Sequence, residues 1–121
     1  MYSRETMDHF LKPRNVGQVD GGPQGEAQNP DCGDTVRISL RVEAGQVAEA
    51  RFRSQGCSGA IAASSAATVL LTGKTLDEAA SLGAEAIEAL LGGLPPAKHG
   101  CAEMAAAAAR AAVAQARAAS G

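Results

Sequence analysis

The chain has 121 residues, enough for one domain with its own hydrophobic core, and we predict a single domain over residues 1–121. Its net charge of −2 gives no electrostatic reason to bind nucleic acid or an anionic membrane. No apolar run reaches the roughly 20 residues of a membrane helix, and the N-terminus is charged where a secretory signal would be apolar. We therefore expect a cytoplasmic protein. With two Phe, one Tyr and no Trp, its core must consist of aliphatic side chains.

The N-terminal part of the chain predicts a short helix followed by a long loop. Residues 3–11 have apolar side chains at helical spacing, and Ser3 can cap the helix. Pro13 ends it. Residues 13–34 are rich in glycine and proline and predict mostly loop, with a short strand near 24–29.

The middle of the chain predicts a β-hairpin. Residues 35–42 and 47–53 both alternate apolar and polar side chains, which is the pattern of a strand with one buried face. Residues 43–46 predict the turn between them. The outer face of this hairpin is rich in arginine, and we interpret it as a solvated surface.

The C-terminal half predicts helices. A helix of small residues begins at Ser58, which we expect to cap it, and ends at Gly73. Residues 75–78 match a capping box that starts another helix, and a further helix is predicted near 84–91. Residues 102–119 include twelve alanines and predict a terminal helix. The order predicts an α+β fold, a small antiparallel sheet of about three strands with helices packed on one face.

The three cysteines are the candidate functional residues. An odd number of thiols in a reducing compartment indicates buried bystanders, catalytic groups or metal ligands rather than disulfides. Cys32 precedes the hairpin, Cys57 lies between the second strand and the next helix, and Cys101 precedes the terminal helix. Such junctions, rather than element interiors, are typical of a site built at one end of a sheet.

The residues near these cysteines favour thiolate and metal chemistry. A helix N-terminus lowers the pKa of a thiol, and Lys98 and His99 would further favour the thiolate of Cys101. Asp34 lies two residues after Cys32, across a glycine that permits a tight turn. Three thiolates with one carboxylate or imidazole suit tetrahedral Zn²⁺ or one end of an iron–sulfur cluster. The chain has no CxxC pair, so the spacing of its cysteines is not that of a zinc finger.

These residues lie within a longer pattern that resembles the IscU/NifU-type iron–sulfur cluster scaffold proteins. The similarity runs from Tyr2 to about Ala112. The matching segments are residues 2–3, 8–10, 13–17, 32–34, 50–52, 56–58, 60–62, 64–65, 73–79 and 94–98, followed by Cys101. So many matches in order are far more specific than a lone Cys-Gly-Asp.

The resemblance implies a scaffold rather than a turnover enzyme. A cysteine desulfurase would pass persulfide sulfur to it, iron and electrons would join, and a transient [2Fe–2S] cluster would form and be transferred to apo-proteins. The family's site maps onto Cys32, Asp34, Cys57 and Cys101, with Cys101 as the main persulfide acceptor. We infer that Asp34 ligates iron less firmly than a thiolate, which suits a cluster that must leave.

Two positions depart from the family pattern. The family commonly has His directly before the third cysteine, whereas this chain has Gly100 there and His99 one residue earlier, so ligation by His99 is uncertain. The segment from Leu94 to Lys98 resembles the family's Hsp70-type chaperone site but has Ala97 in place of a branched apolar residue. Its Pro-Pro pair predicts a stiff, extended and exposed segment.

Other matching residues have simpler interpretations, and two alternative functions stay open. We interpret His9 as a packing or hydrogen-bonding residue, and Tyr2 as a residue with a role in partner contacts.

One alternative function is that of a stable zinc-binding protein that uses the same four ligands, or a scaffold that takes Zn²⁺ when isolated. The other is an enzyme with Cys101 as nucleophile and His99 as base, which leaves Cys32 and Asp34 without a role.

Overall fold

A three-stranded antiparallel sheet positions the candidate site. The computed structural model describes residues 2–29 and 33–120. Strands β1 (Gln24–Gln28), β2 (Thr35–Glu43) and β3 (Gln46–Gln55) pair in the order β1-β2-β3. The predicted strands are therefore confirmed, including the short one near 24–29. Ala44 and Gly45 have φ values of 53° and 76° and form the two-residue turn of the β2–β3 hairpin.

Five α-helices among the described residues complete the α+β fold. They are α1 (Arg4–Leu11), α2 (Ser58–Leu71), α3 (Leu76–Ala79), α4 (Ala84–Leu90) and α5 (His99–Ser120). The predicted caps at Ser3 and Thr75 are confirmed: Ser3 Oγ accepts the backbone N–H of Thr6, and Thr75 forms a reciprocal capping box with Glu78. Within the described ranges, no helix is long and apolar enough to cross a membrane.

Three details of the helix boundaries were predicted wrongly. The N-cap of α2 is Cys57, and Ser58 is the first helical residue rather than the cap. α5 starts at His99, so Cys101 lies in its first turn instead of preceding it, because the turn of the chain after Pro95 runs directly into the helix. The prediction that residues 94–98 form an extended and exposed segment is also wrong in part, because Pro96–Lys98 form one turn of 3-10 helix and Leu94 is buried.

The core lies between the inner face of the sheet and helices α2 and α5. Val36, Ile38, Leu40 and Phe52 point from the strands into it. Helices α2 and α5 contribute buried alanines to the core, at positions 60, 62, 63, 66, 67, 102, 105, 106, 108, 109 and 112. Because these side chains are short, the backbones of neighbouring elements approach closely.

The outer face of the hairpin carries the arginines as ion pairs with glutamates. Arg37 pairs with Glu26 at 2.8 Å and Arg41 with Glu43 at 2.9 Å. All four side chains are about half exposed or more, so these pairs contribute little to stability. This agrees with the interpretation of the face as a solvated surface.

A polar contact joins α1 to α2. Nδ1 of His9 lies 2.8 Å from Oγ of Ser65, and that oxygen also accepts the backbone N–H of Arg14 at 2.9 Å. His9 is only 8% exposed. Its pKa is lowered, mainly by burial and also by the positive charge of Arg14. His9 is thus a hydrogen-bonding residue of the helix interface, as predicted.

Candidate metal and sulfur site

Two cysteine thiols meet where α2 and α5 begin. Sγ of Cys57 lies 3.7 Å from Sγ of Cys101, and both are free thiols. Cys57 is the N-cap residue of α2 and partly exposed, whereas Cys101 is the third residue of α5 and only 5% exposed. Two of the three junctions predicted to share one end of the sheet, those of Cys57 and Cys101, therefore do so.

Asp34 lies beside this pair because the strands β2 and β3 are in register. Thr35 at the start of β2 is paired with Gln55 at the end of β3, which brings the preceding and following residues together. Oδ2 of Asp34 accepts the backbone N–H of Cys57 at 3.4 Å. A Cβ on Gly56 would lie 2.5 Å from Cγ of Asp34, so glycine is required there for the carboxylate to approach.

The charge distribution around the thiols differs from the sequence-based expectation. The pKa of Cys101 is raised to about 12, first by burial and second by the neighbouring Cys57. The expectation that the helix N-terminus and Lys98 would lower it is wrong, because loss of hydration outweighs both effects. The pKa of Lys98 is raised, first by its electrostatic interaction with Cys57 and second by that with Tyr2.

His99 is directed away from the thiols. It is the first residue of α5, two positions from Cys101, and side chains at that spacing do not share a helix face. Its Nδ1 pairs with Oε1 of Glu88 on α4. Metal coordination by His99 would therefore have to use Nε2, and no contact supports a base for the Cys101 thiol.

Part of the predicted ligand set lies outside the described residues. Cys32 belongs to the undescribed segment 30–32, so its position relative to the other thiols stays a prediction. Among residues 2–29 and 33–120, no three His, Cys, Asp or Glu side chains are placed to hold a metal ion together. The described residues thus provide a thiol pair with Asp34 beside it, not a finished metal site.

A match to a protein-family model shows which family the chain belongs to. The model of the NifU-like N-terminal domain matches residues 1–120, nearly the whole chain. The chain belongs to this family. The resemblance noted in the sequence is thereby confirmed.

Relatives of this NifU-like domain carry consistent names. It is 42% identical to "Iron-sulfur cluster assembly scaffold protein IscU 1" of Archaeoglobus fulgidus over 93% of this chain and 74% of that protein. It is 38% identical to "Iron-sulfur cluster assembly scaffold protein IscU" of Escherichia coli over 93% of this chain and 91% of that one.

Solved structures agree on the fold of the NifU-like domain. A putative scaffold protein for the SUF system from Fervidobacterium islandicum superposes with a TM-score of 0.75 over 93% of this chain and 96% of that chain. A NifU-like N-terminal protein from Brucella abortus gives 0.73 over 93% and 92%. Their identities of 17% and 18% restrict the comparison to the fold.

Sequence reasoning missed the positions of two residues that lie beside the thiol pair of this NifU-like domain. Oη of Tyr2 accepts a hydrogen bond from Oγ of Ser58 at 3.1 Å, so Tyr2 lies over the first turn of α2 instead of only facing partners. Gly59, the second residue of α2, is buried beneath it. A glycine so early in a helix of small residues was the available signal, because it permits close approach.

Proposed function

We propose that this chain is a scaffold on which iron–sulfur clusters are assembled and from which they are passed to apo-proteins. The observation that carries the proposal is the 3.7 Å separation of the Cys57 and Cys101 thiols. Two thiolates on one tetrahedral metal with bonds of about 2.3 Å lie about 3.8 Å apart. The pair therefore fits one metal without rearrangement. The names of the relatives from Archaeoglobus fulgidus and Escherichia coli support the same function.

The proposed ligands are Cys32, Asp34, Cys57 and Cys101, with His99 as an uncertain fifth candidate through Nε2. Cys32 is separated from Asp34 by Gly33 alone, whose φ is 75°. Asp34, already beside Cys57, would supply an oxygen ligand to a centre otherwise held by sulfur. Because iron binds thiolate more firmly than carboxylate in such sites, Asp34 would favour release of the [2Fe–2S] cluster as cargo.

A cysteine desulfurase is the proposed sulfur donor, with Cys101 as the main acceptor. The chain's own part is to present the Cys101 thiol, to bind iron and to hold the two sulfurs at a metal-compatible distance. This is a role for a scaffold rather than for a turnover enzyme. The alternative of Cys101 as an enzymatic nucleophile lacks support, since His99 is paired with Glu88.

Two further partners follow from the family resemblance. Apo iron–sulfur proteins would receive the cluster. An Hsp70-type chaperone would bind residues 94–98, and because Pro96–Lys98 form a 3-10 turn, binding of an extended peptide would require that turn to open.

Anaerobic reconstitution with ferrous iron, cysteine and a desulfurase tests the proposal. We expect visible absorption from a cluster in the wild type and its loss in each of the variants C32S, C57S and C101S. Thermal unfolding monitors the fold of each variant, and S81A, a change at an exposed turn, is the control that keeps the absorption. The competing proposal is a stable Zn²⁺ site on the same ligands. It is favoured if the chain retains zinc and no cysteine ever accepts sulfur.

A further inference from the structure

Glu88 contacts both ends of the segment that connects α4 to α5. Its backbone carbonyl accepts the N–H of Gly93 at 2.7 Å, and the carbonyl of Ala89 accepts that of Gly92 at 3.2 Å. With Gly92 at a φ of 72°, these two bonds form the Schellman motif that ends α4. At the other end of the segment, Oε1 of Glu88 pairs with Nδ1 of His99, the first residue of α5. One residue of α4 thus closes the whole connection.

Among the described residues, few other backbone hydrogen bonds hold this connection. Its two prolines have no N–H to donate, and their carbonyls accept the N–H groups of Lys98 and His99. These bonds form the 3-10 turn itself and do not attach it to another helix. Leu94 is buried and adds an apolar contact. The side chain of Glu88 therefore provides a polar contact that attaches the end of the turn to α4.

The contact between Glu88 and His99 is partly protected from water. The side chain of Glu88 is 21% exposed, and that of His99 is 50% exposed. A hydrogen bond to a carboxylate is stronger than one between neutral groups, and partial burial reduces its competition with water. Glu85 on the same helix is exposed, so it offers a comparison within α4.

The position of His99 determines that of Cys101. Helix α5 begins at His99, and Cys101 is its third residue, within the same first turn. Sγ of Cys101 lies 3.7 Å from Sγ of Cys57, which belongs to a different helix start, that of α2. Helix ends open more easily than helix centres. Loss of the contact at His99 would therefore let the first turn of α5 unwind and carry the thiol away from its partner.

We propose that Glu88 is a positioning residue of the thiol pair. Through His99 it holds the first turn of α5 closed and keeps Cys101 opposite Cys57. The inference rests on the proposed scaffold function, in which the two thiols share one metal. Glu88 acts on the thiols from a distance in this account and is not itself a metal ligand.

The first test is amide hydrogen exchange of the reduced, metal-free protein, measured by mass spectrometry of the peptide 93–104. Without metal, His99 cannot act as a ligand and can affect the exchange only through its contact with Glu88. We expect Glu88→Ala to exchange about tenfold faster in this peptide, because opening no longer breaks a hydrogen bond to a carboxylate. Glu85→Ala is the matched control and should exchange like the wild type. Wild-type exchange in Glu88→Ala would overturn the proposal.

His99→Ala removes the other partner of the same contact and covers the case in which Glu88→Ala does not fold. We expect the same increase of about tenfold. If the two residues act through one contact, the double variant should exchange no faster than either single variant. An increase of about a hundredfold in the double variant, the product of two independent effects, would overturn the proposal.

The second test measures the thiol pair directly. Anaerobic titration with Co²⁺, followed by thiolate-to-cobalt charge-transfer absorption, gives the affinity of the cysteines for a tetrahedral metal. We expect Glu88→Ala to bind Co²⁺ about tenfold more weakly, with Glu85→Ala at the wild-type level. Thermal unfolding of the metal-free proteins shows that each variant is folded.

The outcomes of the cobalt titration separate the role of Glu88 from the scaffold function. Faster exchange with unchanged Co²⁺ affinity in Glu88→Ala would mean that the contact is only structural, and would overturn the positioning role. A wild type without thiolate-to-cobalt absorption would overturn it as well. A wild type that binds Co²⁺ through its thiols but assembles no iron–sulfur cluster would contradict the scaffold function and leave the role of Glu88 intact.

Discussion

Gly25 and Gly59 both lie where another element of the chain approaches within contact distance, but their neighbours differ in kind. A Cβ on Gly25 of β1 would lie 2.3 Å from the backbone N of Ala112 and 2.4 Å from the backbone O of Ala108. A Cβ on Gly59 would meet the ends of three side chains at 3.2 to 3.4 Å. Backbone atoms inside a helix cannot move away, whereas side-chain ends can shift by a few tenths of an ångström.

Two glycines can therefore have different roles: Gly25 maintains the fold, and Gly59 belongs to the candidate site. Gly25 sets the distance between β1 and α5, so its role is structural. Gly59 lets the Cys101 thiol and the Tyr2 hydroxyl of the candidate site approach α2 closely. A substitution at Gly25 should therefore change stability, and one at Gly59 should change chemistry more than stability.

The largest expected effect is that of Gly25→Ala. Because the new methyl group would clash with the backbone of α5, we expect the free energy of unfolding to fall by about 3 kcal/mol. Urea denaturation followed by circular dichroism measures the change. Gly100→Ala, with an ordinary contact only, serves as the control. A loss below about 1 kcal/mol would show that the β1–α5 contact is not as rigid as its backbone neighbours indicate.

Ser65→Ala tests the contact between α1 and α2. This contact depends on the hydroxyl group of Ser65. Without it, Nδ1 of His9 and the N–H of Arg14 both lose a partner. We expect a loss of about 2 kcal/mol in the free energy of unfolding, the usual cost of unsatisfied buried polar groups. Ser81→Ala, at an exposed turn, is the matched control. Equal stability of the two variants would contradict the role of this contact.

The two described thiols should react at different rates. Cys101 is 5% exposed and has a pKa raised to about 12 by burial, whereas Cys57 is partly exposed. We expect iodoacetamide to label Cys101 at least about tenfold more slowly than Cys57 at pH 8. Labelling of Cys101 should also keep rising with pH above 9. Peptide mass spectrometry over time gives both rates, and equal rates would contradict the burial of Cys101.

The smallest expected effect is the pH dependence of the stability that His9 provides. Burial lowers the pKa of His9 in the folded protein below its ordinary value of 6.5, so the unfolded chain takes up the proton first as the pH falls. The stability from neutral His9 is therefore complete above pH 6.5 and decreases as the pH is lowered below it. Thermal unfolding at pH 7 and pH 5 should show a larger decrease for the wild type than for His9→Asn. Equal decreases would mean that His9 is not the titrating group.

Local patterns predicted the elements of the fold. The strands β2 and β3, the cap at Ser3 and the capping box at Thr75 depend on residues close in sequence, and all are confirmed. The predicted alternation holds only in part, because Ser39 is buried, and Val47 rather than Ala48 is buried where the register shifts between Arg41 and Val42. The start of α5 was predicted three residues late, because Pro96 and Gly100 obscured the helical pattern. Proline is tolerated at a helix start, and tertiary packing overrides the low propensity of glycine.

The site was harder to predict because its properties depend on contacts between distant residues. The junctions correctly indicated that Cys57 and Cys101 lie at one end of the sheet. Burial of Cys101, which reverses the expected direction of its pKa shift, follows from how α2 and α5 pack and has no local signal. The same holds for Tyr2 above Gly59, where residues more than fifty positions apart meet.

The most direct test of the central claim is to count metal and sulfide after anaerobic incubation of zinc-free protein with ferrous iron, cysteine and a desulfurase. If the Cys57–Cys101 pair is part of a scaffold for [2Fe–2S] clusters, the chain will hold iron and acid-labile sulfide in a ratio of about one to one. This ratio should also be reached in Gly100→Ala. Iron without labile sulfide, or no bound iron at all, would contradict the account.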